Sequence, residues 1–137
     1  MRYCFFIFFL FYAVIAQAVE LSVENKAVYD VKIAQTKEDL SYGLMNVYSL
    51  PKNEGMLFDL RDYPYTSMWM KNTYISLDML FLDCSFYVVD AYENAKPLSL
   101  EKISSDKDFC YVLEINGGEF KKHQMNIGDK VFVDGLL

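Results

Sequence analysis

The segment SMWMKNTYISLDMLF, residues 67–81, sets a tryptophan, a lysine, an asparagine and an aspartate inside a largely apolar run. Such groups must find partners, stay on a wet face or carry chemistry, because an unpaired polar group is costly to bury. The four-residue connection TYIS between SMWMKN and LDMLFLD predicts an antiparallel hairpin. In that register Asn72 lies opposite Leu77, Lys71 opposite Asp78, Met70 opposite Met79 and Trp69 opposite Leu80. Strand alternation then gathers Met68, Met70, Met79 and Phe81 on a core face and Trp69, Lys71, Asp78 and Leu80 on the other. An aromatic ring beside a few convergent polar groups is the usual composition of a ligand site. Trp69, Lys71, Asn72 and Asp78 are therefore the candidate ligand-binding set, for a small polar ligand or a segment of a partner protein.

Other chemistries find less support. Zinc takes clustered His, Cys or carboxylate ligands, whereas His123 is the single histidine and neither Cys84 nor Cys110 has a ligand nearby in sequence. Soft Cu(I) takes thioethers, and Met45, Met56, Met68, Met70, Met79 and Met125 offer them. Methionine is also a good core filler, and packing is the expectation for Met68 and Met70. There is no G-x-S-x-G elbow and no cysteine in a catalytic context. His123 sits in KKHQ, where a solvated side chain is the default. Asp78 and Glu114 could flank a substrate as paired carboxylates on neighbouring strands; the simpler expectation is that each caps a turn or pairs with a lysine. GGEF and NIGDK are glycine turns with no following Lys-Ser/Thr, so they form no phosphate loop. No metal and no cofactor is expected.

The elements that must position these residues are mostly strands. VYDVKIAQ, residues 28–35, alternates cleanly and reads as a half-buried strand. TKEDLSYGLM follows, with Thr36 placed as an N-cap, acids in the first turn and Gly43 near the end, which predicts a two-turn helix. GMLFDL, SMWMKN, LDMLFLD, SFYVVDAYE, FCYVLEI and VFVDGLL read as further strands, with turns or polar loops between them. GGEFKKHQMNIGDK mixes turns with one helical turn. Many short strands separated by turn signals imply a sandwich or barrel.

The first residues give an address. Arg2 is a positive start, CFFIFFLFYAVIA is an apolar run of export length, and Ala16-Gln17-Ala18 is a small-x-small cleavage site. Residues 1–18 are therefore expected to be a signal peptide and 19–137 a single domain, exported to the periplasm or the outside. The run is shorter than a membrane span needs; an uncleaved anchor is the alternative. The chain of 137 residues carries a formal net charge of −6 and no long basic cluster. Nucleic acid is thereby excluded as a partner, because phosphate neutralisation needs grouped Lys and Arg. The acidic surface also disfavours anionic lipid, and no stable membrane insertion is expected after cleavage. Cys84 and Cys110 remain in the mature chain, where export permits a disulfide, and sheet pairing could bring the two together.

YGLM (42–45), LP (50–51), GMLF (55–58), WMKNT (69–73), LDMLF (77–81), YVLEING (111–117) and IGDKV (127–131) occur in a fixed order. Together they resemble the domain of unknown function (DUF) family 192, from about residue 26 to residue 133. The resemblance implies a small, mostly β domain of jelly-roll-like topology, often exported, and no established activity. Two positions depart from the family pattern. Leu40 stands where the family usually has an arginine, three residues before GLM, so an anion-binding role relying on that arginine lacks its group. Ser76 stands where a proline usually precedes the LD pair, which loosens a turn.

The combined reading is a mostly β, jelly-roll-like sandwich or barrel with one short helix, binding a ligand at the Trp69, Lys71, Asn72 and Asp78 face. Alternatives are a hydrolase or lyase using Asp78 or Glu114 with Lys71, a methionine-based copper carrier, and a protein–protein module. An enzyme should show a concave pocket holding a carboxylate of strongly perturbed pKa. A copper carrier should show methionine sulfurs converging at the surface, and a binding module a Trp69 ring partly exposed above a groove.

Overall fold

The computed structural model describes residues 17–135. The charged start and apolar run of the expected signal peptide lie outside them. Seven strands follow in chain order: β1 (Val19–Val23), β2 (Ala27–Ala34), β3 (Glu54–Asp59), β4 (Leu77–Leu82), β5 (Val88–Ala95), β6 (Tyr111–Asn116) and β7 (Val131–Val133). Two short helices, α1 (Lys37–Tyr42) and α2 (Glu119–Lys122), complete the described elements, one more helix than expected. The opening strand β1 was also not expected. Among the described residues no helix is long and apolar enough to cross a membrane.

The strands form one sheet in the order β5-β4-β6-β3-β2-β1-β7. Only β2 and β3 run parallel, and a parallel pair needs a crossover rather than a tight turn. That crossover contains α1, which starts where the Thr36 side chain accepts from Asp39 N at 3.1 Å and stops at Gly43. Gly43 adopts φ +49°, and a Cβ there would approach the Phe58 ring to 3.1 Å. Gly55 permits an equally close approach within the sheet, since its Cβ would lie 2.6 Å from the Glu114 carbonyl oxygen. These two glycines explain the YGLM and GMLF motifs: one ends a helix against the sheet, the other lets β3 lie tight on β6.

The sheet curls until its two edges meet. Tyr87, just before β5, bridges Lys130, just before β7, and Val88 N donates to Asp129 O at 2.9 Å. The inner face carries Leu21, Val31, Leu57, Leu80, Leu113 and Ile115 in one apolar cluster. The outer face of β3, β4 and β6 carries Phe58, Met79, Phe81 and Val112 in a second, covered by Leu44, Leu60, Met68, Met70 and Ile103. β4 is buried along its whole length because both its faces are covered. Cys84 and Cys110 form a disulfide with Cα atoms 5.0 Å apart, as the sequence led us to expect. In the chain-entropy account, closing a loop of this size contributes about 3–4 kcal/mol.

The predicted hairpin between SMWMKN and LDMLFLD does not form. β4 has two edges, and β5 and β6 take both in antiparallel register, leaving no ladder for a third strand. Residues 68–73 instead run beside 98–103: Met68 N donates to Ile103 O at 2.7 Å, Met70 N to Ser99 O at 3.0 Å, and Leu98 N to Thr73 O at 3.0 Å. The facing of the methionines is nevertheless as expected. Met68, Met70, Met79 and Phe81 share the outer cluster, so these thioethers are packed in a core and do not converge at the surface. Met70 is fully buried, and Met70→Ala is expected to lower unfolding free energy by about 2–5 kcal/mol, measured by urea denaturation.

Candidate functional site

Alternation along β6 decides the chemistry of the outer face. Leu113 and Ile115 point into the curled sheet, so Glu114 between them points outward. In register it lies between Met56 of β3 and Met79 of β4. Above it, α1 and residues 60–73 lean together without closing and leave a cavity of about 330 Å³. Leu44, Phe58, Leu60 and Met68 give this cavity apolar walls, and Glu114 is the one acid lining it. Trp69 and Lys71 line it too and are exposed, so they form its rim.

Glu114 as a whole residue is 4 % exposed; among the described residues no side-chain hydrogen bond or ion pair reaches its carboxyl, which opens onto the cavity. Burial alone pushes its pKa up to about 8, because no neighbouring cation offsets the desolvation of the charged form. At neutral pH it is therefore mainly a neutral acid that can both donate and accept. Trp69 keeps 45 % of its surface exposed, and the Lys71 ammonium sits 5.1 Å from its ring centroid, within cation–π range. Leu40, which stands in place of the family's usual arginine, also lines the cavity. At that position the wall is apolar and supplies no positive group.

The four sequence-predicted site residues do not converge. Trp69 and Lys71 share the cavity rim. Asn72 is exposed outside the cavity lining, in a left-handed turn with φ 51°, where its carbonyl accepts from Asn46 N at 2.9 Å. Asp78 lies opposite Ile115 on the inner face, buried, and accepts from Asn94 N and Phe120 N, each at 2.8 Å. The expected Lys71–Asp78 pairing is therefore corrected: Asp78 serves two backbone donors on the far side of the sheet and ties α2 to β5. Asp78 and Glu114 do sit on adjacent strands, but on opposite faces, so they cannot flank one substrate as paired carboxylates.

His123, for which the KKHQ context predicts a solvated side chain, is half-buried and held by Glu119. Its ring Nε2 lies 2.9 Å from Glu119 Oε2, which also accepts from the Tyr29 hydroxyl at 3.0 Å. Burial first, then the Glu119 carboxylate, pushes the Tyr29 pKa up, so this network is a tied-down polar cluster under α2. The sequence presents Glu114 as one of a carboxylate pair or as an acid working with Lys71, and not as the floor of a cavity. The missed signal was its parity: a single acid one step out of phase with Leu113 and Ile115 in an apolar strand.

The model of the DUF192 family, described as "Uncharacterized ACR, COG1430", matches residues 19–133. Two solved structures are similar. A protein of unknown function from Novosphingobium aromaticivorans is 30% identical with a TM-score of 0.79, covering 88% of this chain and 89% of that one. A Sinorhizobium meliloti protein described as a "putative transcription regulator" is 35% identical with a TM-score of 0.77, covering 88% of this chain and 95% of that one. No curated protein matches the chain.

Two outcomes follow from the geometry. Asp78→Ala leaves two buried N–H donors unpaired and is expected to destabilise by about 2–6 kcal/mol. Lys71→Met, at an exposed rim, should stay within about 0.5 kcal/mol; paired denaturation curves separate the two. Glu114 acts through pH. Below the ordinary glutamate value both folded and unfolded chains hold the proton, whereas from there up to about 8 only the folded chain does. The contribution of Glu114 is thus full at acid pH, falls as pH rises toward 8, and levels off above, by up to a few kcal/mol. Glu114→Gln should remove that slope and melt higher than the parent at pH 9, while matching it near pH 4.

Proposed function

The chain belongs to the DUF192 family, and from that premise we propose that it is an exported single-domain receptor for a small organic ligand, held in the cavity above Glu114. One observation carries the reading: the carboxyl of a nearly buried glutamate, with no hydrogen bond or ion pair from another side chain, opens onto the floor of a cavity whose rim is a half-exposed tryptophan. A domain selected for stability alone gains nothing from a buried acid with no partner, whereas a site needs a polar group that its ligand completes. Export is supported by the leader-like first residues and by the Cys84–Cys110 bridge, since such bridges persist in oxidising compartments. The transcription-regulator description of the Sinorhizobium meliloti protein draws no support from the composition of this chain, which is acidic overall and has no long run of Lys and Arg.

The same carboxyl favours a second reading. An acid whose pKa lies near 8 populates both proton states close to neutral pH, which suits a general acid or base. In that case the cavity is the active site of a hydrolase or lyase, with Glu114 moving the proton and Lys71 at the rim orienting substrate.

Trp69 is the only tryptophan in the chain, so intrinsic fluorescence reports on the cavity rim. Titration with a panel of small polar fragments is expected to give hits that shift Trp69 emission and compete with one another. Glu114→Gln should change their affinity about tenfold or more, the scale of one hydrogen bond to a buried group. A panel in which no member moves Trp69 emission would sink the receptor reading. Turnover of a hit that disappears in Glu114→Gln while binding survives would favour the enzyme.

A further inference from the structure

The charges lining the cavity are ordered. There are three: Glu114 at the floor, and Lys37 and Lys71, both exposed. Among the described residues neither lysine makes an ion pair, and the Lys71 headgroup lies over the Trp69 ring. The chain as a whole carries −6, so two cations without acidic partners beside one opening form a local exception that attracts an anion. The floor asks for the opposite. Glu114 has no donor to satisfy its carboxylate and no cation to balance it, so it gains most from a positive group that the ligand itself brings.

Resting on the receptor reading above, we propose that the cavity takes a zwitterionic small molecule, with an ammonium end paired to Glu114 and a carboxylate end held between Lys37 and Lys71. Its apolar middle lies against Leu44, Phe58 and the Trp69 ring. A ligand that is only an anion would engage the lysines but could meet Glu114 only as the neutral acid, and would be repelled by it once it ionises. A ligand that is only an amine would pass two lysines and leave them unmatched.

Binding of this kind moves a proton. The Glu114 carboxyl releases its proton to solvent as the ammonium docks, and the ion pair replaces the neutral acid. The other titratable groups lining the cavity are Lys37 and Tyr42 from α1, and Tyr63 and Lys71 from residues 60–73. β3 and β4 flank Glu114 with Met56 and Met79, which do not titrate. Affinity should therefore strengthen as pH rises from 6 towards 8, and weaken once the ligand amine itself deprotonates near the usual amine range.

The probes are β-alanine, γ-aminobutyrate and ε-aminocaproate, with pentylamine and valerate as single-ended controls. Each is titrated by calorimetry in buffers of different ionisation enthalpy and by Trp69 fluorescence. The best-fitting amino acid should bind about tenfold or more tighter than either control and release close to one proton at neutral pH. Lys37→Met with Lys71→Met should bring the amino acid down to pentylamine, and Glu114→Gln should bring it down to valerate. Valerate or pentylamine binding as well as every amino acid, binding without proton release, or no binding of any amino acid would overturn the zwitterion. If the fragment panel still moves Trp69 emission in those cases, the receptor reading stands without this ligand class. If nothing moves it, both fall.

Discussion

A β-strand has two edges, and in this fold the edges of β4 are both taken. β5 holds one and β6 the other, and both faces are covered by apolar clusters. Any segment other than β5 and β6 must therefore find backbone partners away from β4. Residues 68–73 cannot join the sheet beside β4, so they leave its plane and pair with residues 98–103 as an outer layer. The cavity is the gap between that layer and α1. It exists because the centre of the sheet is saturated, and its walls are apolar because the layer still has to cover Phe58, Met79 and Phe81.

The same saturated strands set the fates of two acids. Asp78 and Glu114 lie on adjacent strands one pair apart, and alternation sends them to opposite faces. Asp78 meets two backbone N–H groups at a place where α2 and β5 must be tied, and it is satisfied as a charged acceptor. Glu114 meets two methionines and an opening. Identical chemistry thus becomes an internal clasp on one face and an unfulfilled group on the other. Face parity, not residue type, separates the structural carboxylate from the functional candidate.

Much of this was legible in the sequence. The alternation of VYDVKIAQ, the capping order of Thr36 and Gly43, and the apolar runs of FCYVLEI and LDMLFLD each gave an element close to where it forms. The closure of Cys84 on Cys110 was also within reach, because both lie at strand ends. The site was only half legible. Trp69 and Lys71 sit together at a rim, as their spacing implied, but the register linking them to Asp78 rested on a hairpin. Short loops favour hairpins only when the partner edge is free, and edge occupancy is a property of the whole sheet that no local stretch reveals. Lys37 carried no signal at all, since a lysine opening a helix is ordinary; it reaches the cavity only because the parallel β2–β3 pairing lays the crossover there.

The position of Glu114 poses a stability question that its neighbours answer. Methionine occupies the flanking register positions on both adjacent strands, and a third apolar side chain at 114 would extend the cluster without an acid to desolvate. Burial raises the Glu114 pKa to about 8, and the fold tolerates the acid in its protonated form instead of giving the carboxylate an internal counter-ion. A neutral acid is the less expensive form, yet it leaves a donor and an acceptor facing an open cavity. Any ligand that supplies the missing partner recovers that free energy on binding, so the destabilising feature of the empty domain is the same feature that gives a bound molecule its orientation.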